Sequence, residues 1–218
     1  MARGATTAIG QHNAIGADCP VGAKGSDLSG AAFSGAYLTG CDFSGSSLIG
    51  ADLSHADLRG ATFSGAKLNG ADLTGAVLDQ ATFFVADLSN AVLAGTSTNA
   101  TNFTGASLAG TNFGGTSLGS VRSNSIVGSP VGLPASWSVI SGYLVGPRAN
   151  LVGANLAGLD LSGRDLHGAS LAAAKLTGTN LSGADLSGMD LSKLWLTTTN
   201  LSGADLSNAT LTDITWNE

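Results

Sequence analysis

Residues 51–55 read Ala-Asp-Leu-Ser-His and residues 184–188 read Ala-Asp-Leu-Ser-Gly, and this five-residue unit repeats in a fixed frame through most of the chain. Leu or Phe stands at the centre of 31 of 32 units, in one run centred on residues 28–118 and a second centred on residues 151–211. A strict period of five fits neither an α-helix nor an ordinary alternating strand. The chain is therefore a tandem repeat whose units bury their apolar side chains by packing on their neighbours.

The five positions of a unit have different physical roles. The residue two before the centre is small in all 19 units of the first run, and the residue between it and the centre is often Asp or Asn. In extended backbone this alternation predicts a very short strand with the small residue and the Leu or Phe facing inward. The last two positions, usually Ser or Thr and then Gly, turn the chain. Because His55, Gln80, Val85 and Lys193 also occupy the Gly position, we expect that this corner does not always need a positive φ.

A slower period sets the number of units in a coil. Phe recurs every 20 residues and predicts a buried ladder of Phe43, Phe63, Phe83 and Phe103. Four units therefore make one coil, and each coil stacks on the next at the ordinary strand separation of about 4.8 Å. The one polar centre, Thr98, needs a hydrogen-bond partner.

The tandem unit Ala-Asp-Leu-Ser-Gly resembles the pentapeptide-repeat family over residues 26–118 and 149–216. The resemblance implies an all-β fold, a right-handed quadrilateral parallel β-helix (β-solenoid) with four pentapeptides per coil. The family includes gyrase-binding proteins that confer quinolone resistance by imitating DNA, and many members with no known activity. Gyrase-binding relatives commonly end in a helix that pairs two rods, and this C-terminus shows no helical stretch.

The sequence divides into four segments around a break in the repeat. They are an N-terminal cap or mobile tail at 1–25, a first array at 26–118, an interruption at 119–148, and a second array at 149–218 with Trp216 over its end.

The interruption is predicted to contain a short hairpin. Ser136–Ile140 and Tyr143–Val145 flank the turn residues Ser141 and Gly142. Its apolar residues need burial, which favours a bulged coil over a protruding recognition loop.

Composition narrows the classes of partner and compartment. The net charge is −6 and only 11% of residues are charged, with no basic stripe, so direct nucleic-acid binding is disfavoured. The chain shows no signal-peptide core and no segment long enough for a membrane span, which predicts a cytoplasmic protein. A secreted protein is the alternative if the chain is a fragment of a longer repeat array.

Cys19 and Cys41 lie in unlike contexts, and we expect Cys41 to be a buried free thiol rather than part of a disulfide or metal site.

Catalytic, cofactor and metal sites are not expected. His12, His55 and His167 are scattered, and no Cys/His cluster has metal-ligand spacing. The Gly residues follow the repeat and form no phosphate-binding loop. We therefore expect a protein that is not an enzyme and carries no cofactor.

Two groups of residues are candidates for an interaction surface. Asp165, Asp185 and Asp205 recur every 20 residues and should stack as a column of carboxylates, either a solvated edge or a phosphate-like track. Trp195 stands in an outward position near the C-terminal end, where an apolar patch is expected. Trp137 and Tyr143 lie in the interruption and complete the candidate set.

Four inward positions that should be small hold larger residues: Leu159, Arg164, Met189 and Leu194. They predict two places where the coil widens or its corner shifts. Arg164 must reach a carboxylate, backbone carbonyls or solvent, because an unpaired buried charge is too costly.

Two functions follow from these observations. The first is a non-catalytic scaffold or interaction rod for an unknown protein partner, with open coil ends that also favour end-to-end self-association. The second is a DNA-mimic modulator of a type II topoisomerase, DNA gyrase, associated with quinolone resistance. The family resemblance suggests this second function, and the aspartate column would carry it.

Overall fold

The computed structural model describes residues 19–216. The chain forms two compact units. Unit 1 comprises the residues up to Ser117 together with Ile126–Pro134, and unit 2 comprises Leu118–Ser125 together with the residues from Ala135 onward. Most of the predicted segment 1–25 lies outside the described residues.

Both units are built from coils that pair in parallel. Outward residues bridge residues 20 positions further along, as Asp52 bridges Asp72, so four pentapeptides complete one coil. Where the ladder is continuous, the centre donates a backbone hydrogen bond to the next coil, as from Leu53 N to Asp72 O at 2.7 Å, and the outward residue donates to the coil before, as from Asp72 N to Ala51 O at 2.9 Å. The fold is a β-solenoid whose strands are reduced to single bridging residues.

Every corner of the repeat adopts a left-handed conformation. The last residue of all 32 units has φ between 54° and 71°, including the non-glycine residues His55, Gln80, Val85 and Lys193. The expectation that the corner does not always need a positive φ is therefore wrong. The reason is a backbone bond: the corner N–H must point toward the next coil, and Val85 N reaches Thr104 O at 2.9 Å as Gly60 N reaches Asp79 O. Where the ladder is continuous, that bond does not depend on the side chain, so a non-glycine residue accepts the strain.

The outward Asp and Asn residues hold these corners in place. Their Oδ1 accepts the backbone N–H two residues on, at 2.8 Å from Thr74 to Asp72 and at 3.0 Å from Thr104 to Asn102. This local bond explains why Asp and Asn share the outward position, since both offer the same acceptor.

A stacked phenylalanine ladder forms the core of unit 1. The rings of Phe43, Phe63, Phe83 and Phe103 are fully buried, with successive centroids 5.1, 4.8 and 5.4 Å apart and planes within 11° of parallel. These separations follow the spacing of the coils, because each ring projects from the same position of successive coils. The hydroxyl of Thr98, also buried, donates to the Ser117 carbonyl at 2.6 Å.

Unit 2 has a leucine core closed at one side by the hairpin. The hairpin consists of β1, Ser138–Ile140, and β2, Tyr143–Val145, paired antiparallel around Ser141 and Gly142. Trp137, Ile140 and Tyr143 pack on the leucine core beside the buried Val145.

Cys19 and Cys41 form a disulfide, with Cα atoms 5.4 Å apart. The prediction of a free thiol at Cys41 is therefore wrong. Residue 21 lies one 20-residue step before residue 41, and a turn closed by Ala23 N and Pro20 O brings the preceding chain to that level. Cys19 lies before the first repeat unit, so the period of the repeat could not predict its position next to Cys41.

The ladder of unit 2 is interrupted at one boundary between coils. Among the described residues, no bridge joins Ser170 to Asp190 or Lys175 to Trp195, and no backbone hydrogen bond crosses from 168–176 to 187–195. The ladder resumes in the following coil, where Leu191 N donates to Thr210 O at 2.9 Å.

Two oversized inward residues lie at this gap. Met189 and Leu194, which are 1% and 2% exposed, occupy positions that usually hold Ala, and their extra volume is expected to push this coil away from the one before.

The other predicted widening is absent. At Leu159 and Arg164 the ladder continues, with Asn180 N donating to Leu159 O and Asp185 N donating to Arg164 O, both at 2.9 Å. Leu159 packs against the leucine core, and the exposed Arg164 directs its charge away from it.

The described part of the chain contains no helix with the length and apolar character that a membrane crossing requires.

Candidate interaction surface

The three candidate aspartates form one column on unit 2. Asp185 bridges both Asp165 and Asp205 in parallel, so their backbones lie on three successive coils. Asp185 N donates to Arg164 O and Asp205 N donates to Ala184 O, each at 2.9 Å. The column is therefore fixed by the ladder, with Asp205 the most exposed of the three.

Each carboxylate in the column also closes its own turn. Asp165 accepts from His167 N at 3.2 Å, Asp185 from Ser187 N at 2.9 Å, and Asp205 from Ser207 N at 2.8 Å. Hydrogen bonds from the Ser187 hydroxyl, and then from its backbone N–H, hold the pKa of Asp185 below its ordinary value. Asp185 is therefore fully ionised at neutral pH.

His167 lies beside the aspartate column. Its Nδ1 is 2.8 Å from Asp165 Oδ1, and one ligand atom from each of Asp165, His167 and Asp185 lies within 4.8 Å of the others. In the sequence alone, His167 counts as a scattered histidine. The 20-residue period could have revealed this cluster, because it stacks Asp185 on Asp165, and His167 is only two residues after Asp165.

Trp195 stands on a different column from the aspartates. Its side chain is 69% exposed and lines a groove of about 420 Å³ together with Lys175 and Lys193. The groove coincides with the gap in the ladder, since the missing bridge is that between Lys175 and Trp195. The arrangement offers an aromatic face beside two cationic side chains on an otherwise acidic protein.

The other two candidate aromatics have packing roles. Trp137 covers Gly146 so closely that a Cβ there would collide with the indole. The Tyr143 hydroxyl accepts the backbone N–H of Asn155 at 3.0 Å. The structure thus brings the three aspartates together, leaves Trp195 exposed elsewhere, and places Trp137 and Tyr143 against the leucine core.

The fold and the repeat define a solenoid repeat protein. The profile of pentapeptide repeats matches the chain in eight copies, over residues 26–65, 56–83, 86–122, 149–188 and 176–213. These matches cover more than half of the chain. The chain belongs to the pentapeptide-repeat family.

Several solved pentapeptide-repeat structures are similar to this one. HetL, involved in heterocyst differentiation regulation in the cyanobacterium Nostoc sp. strain PCC 7120, is 29% identical over 87% of this chain and 82% of its own, with a TM-score of 0.47. A protein of the Arabidopsis thaliana thylakoid lumen is 34% identical over 48% of this chain and 69% of its own, with a TM-score of 0.33. Full-length QnrB1, a plasmid-mediated fluoroquinolone resistance protein, is 20% identical over 86% of this chain and 89% of its own, with a TM-score of 0.37. A search of curated proteins gave no significant match.

Proposed function

We propose that this protein is a non-catalytic β-solenoid that binds a protein partner through its outward columns. The right-handed quadrilateral coil that the family resemblance implies is part of this proposal. The inward positions are committed to packing, with most centres of both units fully buried. The outward positions tolerate any side chain that leaves the ladder intact, so binding is encoded there.

Trp195 is the observation that carries the proposal. An indole that is 69% exposed offers a large apolar contact, which is typical of residues that dominate protein interfaces. Lys175 and Lys193 beside it favour a partner whose matching surface is acidic.

The test compares two exposed aromatics as baits. Trp195→Ala should abolish capture of the partner in quantitative pull-downs, whereas Phe84→Ala, which removes a side chain that is 48% exposed on unit 1, should not. Equal capture by both variants and the unaltered protein would contradict a binding role for Trp195. Charge reversal of Lys175 and Lys193 should weaken the same capture and remove its dependence on salt.

A second candidate function is modulation of DNA gyrase by DNA mimicry. The observation in its favour is the column of Asp165, Asp185 and Asp205, whose carboxylates project from successive coils. Gyrase supercoiling assays, with and without a fluoroquinolone, test it directly. Inhibition or protection by the protein should disappear when the three aspartates are changed to Asn, and should persist when Asp52 and Asp72 of unit 1 are changed instead. Absence of any effect at micromolar protein excludes this function.

A further inference from the structure

We propose that Asp165, His167 and Asp185 form a binding site for a divalent transition metal, with Zn²⁺ the best match. The three ligand atoms lie within 4.8 Å of one another. Zn²⁺ binds imidazole nitrogen and carboxylate oxygen at about 2.0–2.2 Å, so the ligand atoms of a tetrahedral site lie about 3.4 Å apart. Rotation of the three partly exposed side chains would separate His167 Nδ1 from Asp165 Oδ1, now 2.8 Å away, and bring an Asp185 oxygen closer.

The chemistry of the donors selects the metal. One imidazole nitrogen with two carboxylate oxygens is a borderline ligand set that suits Zn²⁺, whereas Mg²⁺ and Ca²⁺ prefer oxygen ligands alone. The imidazole nitrogen also separates this group from the other stacked carboxylates. Asp52 and Asp72 stack in the same way, but Ser54 and Thr74 stand where His167 stands.

The backbone holds all three ligands before a metal arrives. Asp165 and Asp185 flank the ladder bond from Leu166 N to Asp185 O at 2.9 Å, and the His167 carbonyl accepts from Arg148 N at 2.9 Å. The Oδ1 of each carboxylate accepts the backbone N–H of its own turn, so Oδ2 is the oxygen available as a metal ligand. The side chains of His167 and Asp165 are 42% and 36% exposed, so an ion reaches them directly from water and keeps water as a further ligand.

The site lies where a metal would change the structure of unit 2. Asp165 and His167 belong to one coil and Asp185 to the next, and the ladder between these two coils stops immediately beyond them, at Gly168 and Ser187. A bound metal would therefore link two successive coils that make no backbone hydrogen bonds to each other over residues 168–176 and 187–195.

Titration of the whole protein with Zn²⁺ by calorimetry tests the site, with Co²⁺ absorption as a spectroscopic probe. We expect one ion per chain, and Co²⁺ bands of a site with fewer than six ligands. Asp165→Asn, Asp185→Asn and His167→Ser should each weaken binding by about tenfold or more, since even outer-shell changes act on that scale. The His167 change reproduces the Asp-Leu-Ser sequence of residues 185–187 and 205–207, so it should leave the fold intact.

Asp205→Asn is the matched control. Asp205 belongs to the same column, stacks on Asp185 and has Ser207 at the position equivalent to His167. The proposal requires that this variant bind Zn²⁺ as the unaltered protein does. Equal losses of Zn²⁺ affinity in Asp205→Asn and Asp165→Asn would show that the ion is attracted to the carboxylates in general. Unchanged Zn²⁺ affinity in His167→Ser would show that the imidazole is not a ligand. Either result overturns the proposal, as does the absence of saturable binding.

Discussion

At the scale of the residue, the corner position carries most of the local strain. All non-glycine corners have φ between 54° and 62°, and one of the least suited is Val85, a β-branched residue with φ of 55° that is 56% exposed. Little packing would be lost by removing an exposed side chain. The stability of the repeat therefore depends on how many corners are glycine.

Val85→Gly should raise the free energy of unfolding by about 0.5–1 kcal/mol, because relief of left-handed strain exceeds the entropy that glycine adds to the unfolded chain. Urea denaturation measures the change. Gly45→Val is the reverse control, since Gly45 has φ of 68° and nothing within 4 Å of its missing Cβ. It should cost about 1–2 kcal/mol. A neutral result for both would show that corner conformation does not limit stability.

The outward aspartates make stability depend on acid. In five outward aspartates the pKa lies below its ordinary value, because the serine two residues on donates hydrogen bonds from its hydroxyl and then from its backbone N–H: Asp27, Asp42, Asp160, Asp185 and Asp190. A carboxyl with a lowered folded pKa stabilises the protein above its unfolded pKa, and that contribution is lost as pH falls through the folded value.

We therefore expect the urea midpoint to stay level down to about pH 4 and to fall below it. The triple change Asp27→Asn, Asp160→Asn and Asp190→Asn should flatten that fall, because Asn keeps the turn acceptor without titrating. Midpoints measured from pH 7 to pH 2 compare the two proteins. An identical acid dependence would show that these turns do not control it.

At the scale of the element, the sequence predicted the coils well because one regularity determines them. A five-residue unit with one large apolar residue has one way to bury it, and the 20-residue Phe period predicted the observed ladder. The backbone conformation of the corners was harder to predict. It is associated with a hydrogen bond of the backbone N–H, and the identity of the side chain in the Gly position does not reveal that bond. The cluster of His167 with Asp185 and the bond of Cys19 to Cys41 each join residues about one coil apart. Neither His167 nor Cys19 stands at a centre or outward position, where the 20-residue period is visible in the sequence, so the sequence did not reveal these pairs.

Neighbouring phenylalanines test the ladder. Phe83 is fully buried between Phe63 and Phe103, whereas Phe84 is 48% exposed. Phe83→Ala should lower the free energy of unfolding by about 3–5 kcal/mol through loss of apolar contact and a cavity. Phe84→Ala should change it by less than about 0.5 kcal/mol. Similar losses in thermal or urea denaturation would contradict the ladder's role.

The gap in unit 2 predicts uneven hydrogen exchange. The amides of Leu171, Leu176, Asp190 and Trp195 have no partner across the gap among the described residues, so they should exchange faster than those of Leu191 and Leu196, which donate to the following coil. Changing Met189 and Leu194 together to Ala should slow exchange at the four positions, if side-chain volume holds the coils apart. Uniform protection across the boundary would show that the gap does not persist in solution.

At the scale of the whole molecule, one covalent bond supplements the ladder. The disulfide joins residues 22 apart, slightly more than one coil, at the start of the described chain. In the chain-entropy account a loop of this length contributes about 3 kcal/mol. Replacing Cys19 with Ser and Cys41 with Ala, the usual residue of that inward position, should lower the free energy of unfolding by that amount. Reducing agent should reproduce the loss in the unaltered protein and have no effect on the double variant.

The disulfide also bears on the compartment in which the protein works. The cytoplasmic location expected from the sequence stays a prediction. Disulfides persist in oxidising compartments and are rare in the cytosol, so the Cys19–Cys41 bond favours the secreted alternative. Thiol labelling of the protein taken directly from its native cells decides the matter: labelled cysteines would support the cytoplasm, and resistance to labelling would support export.

The same bond has a mechanical consequence. Pulled between handles on its two termini, an oxidised chain cannot lengthen through the closed segment between Cys19 and Cys41, whose 22-residue separation is bridged by the two sulfurs. The fully stretched chain should therefore be shorter by roughly 75 Å than after reduction, at about 3.5 Å per residue. The first coil would behave as a link of fixed length, and force would reach the neighbouring coils with that link still closed.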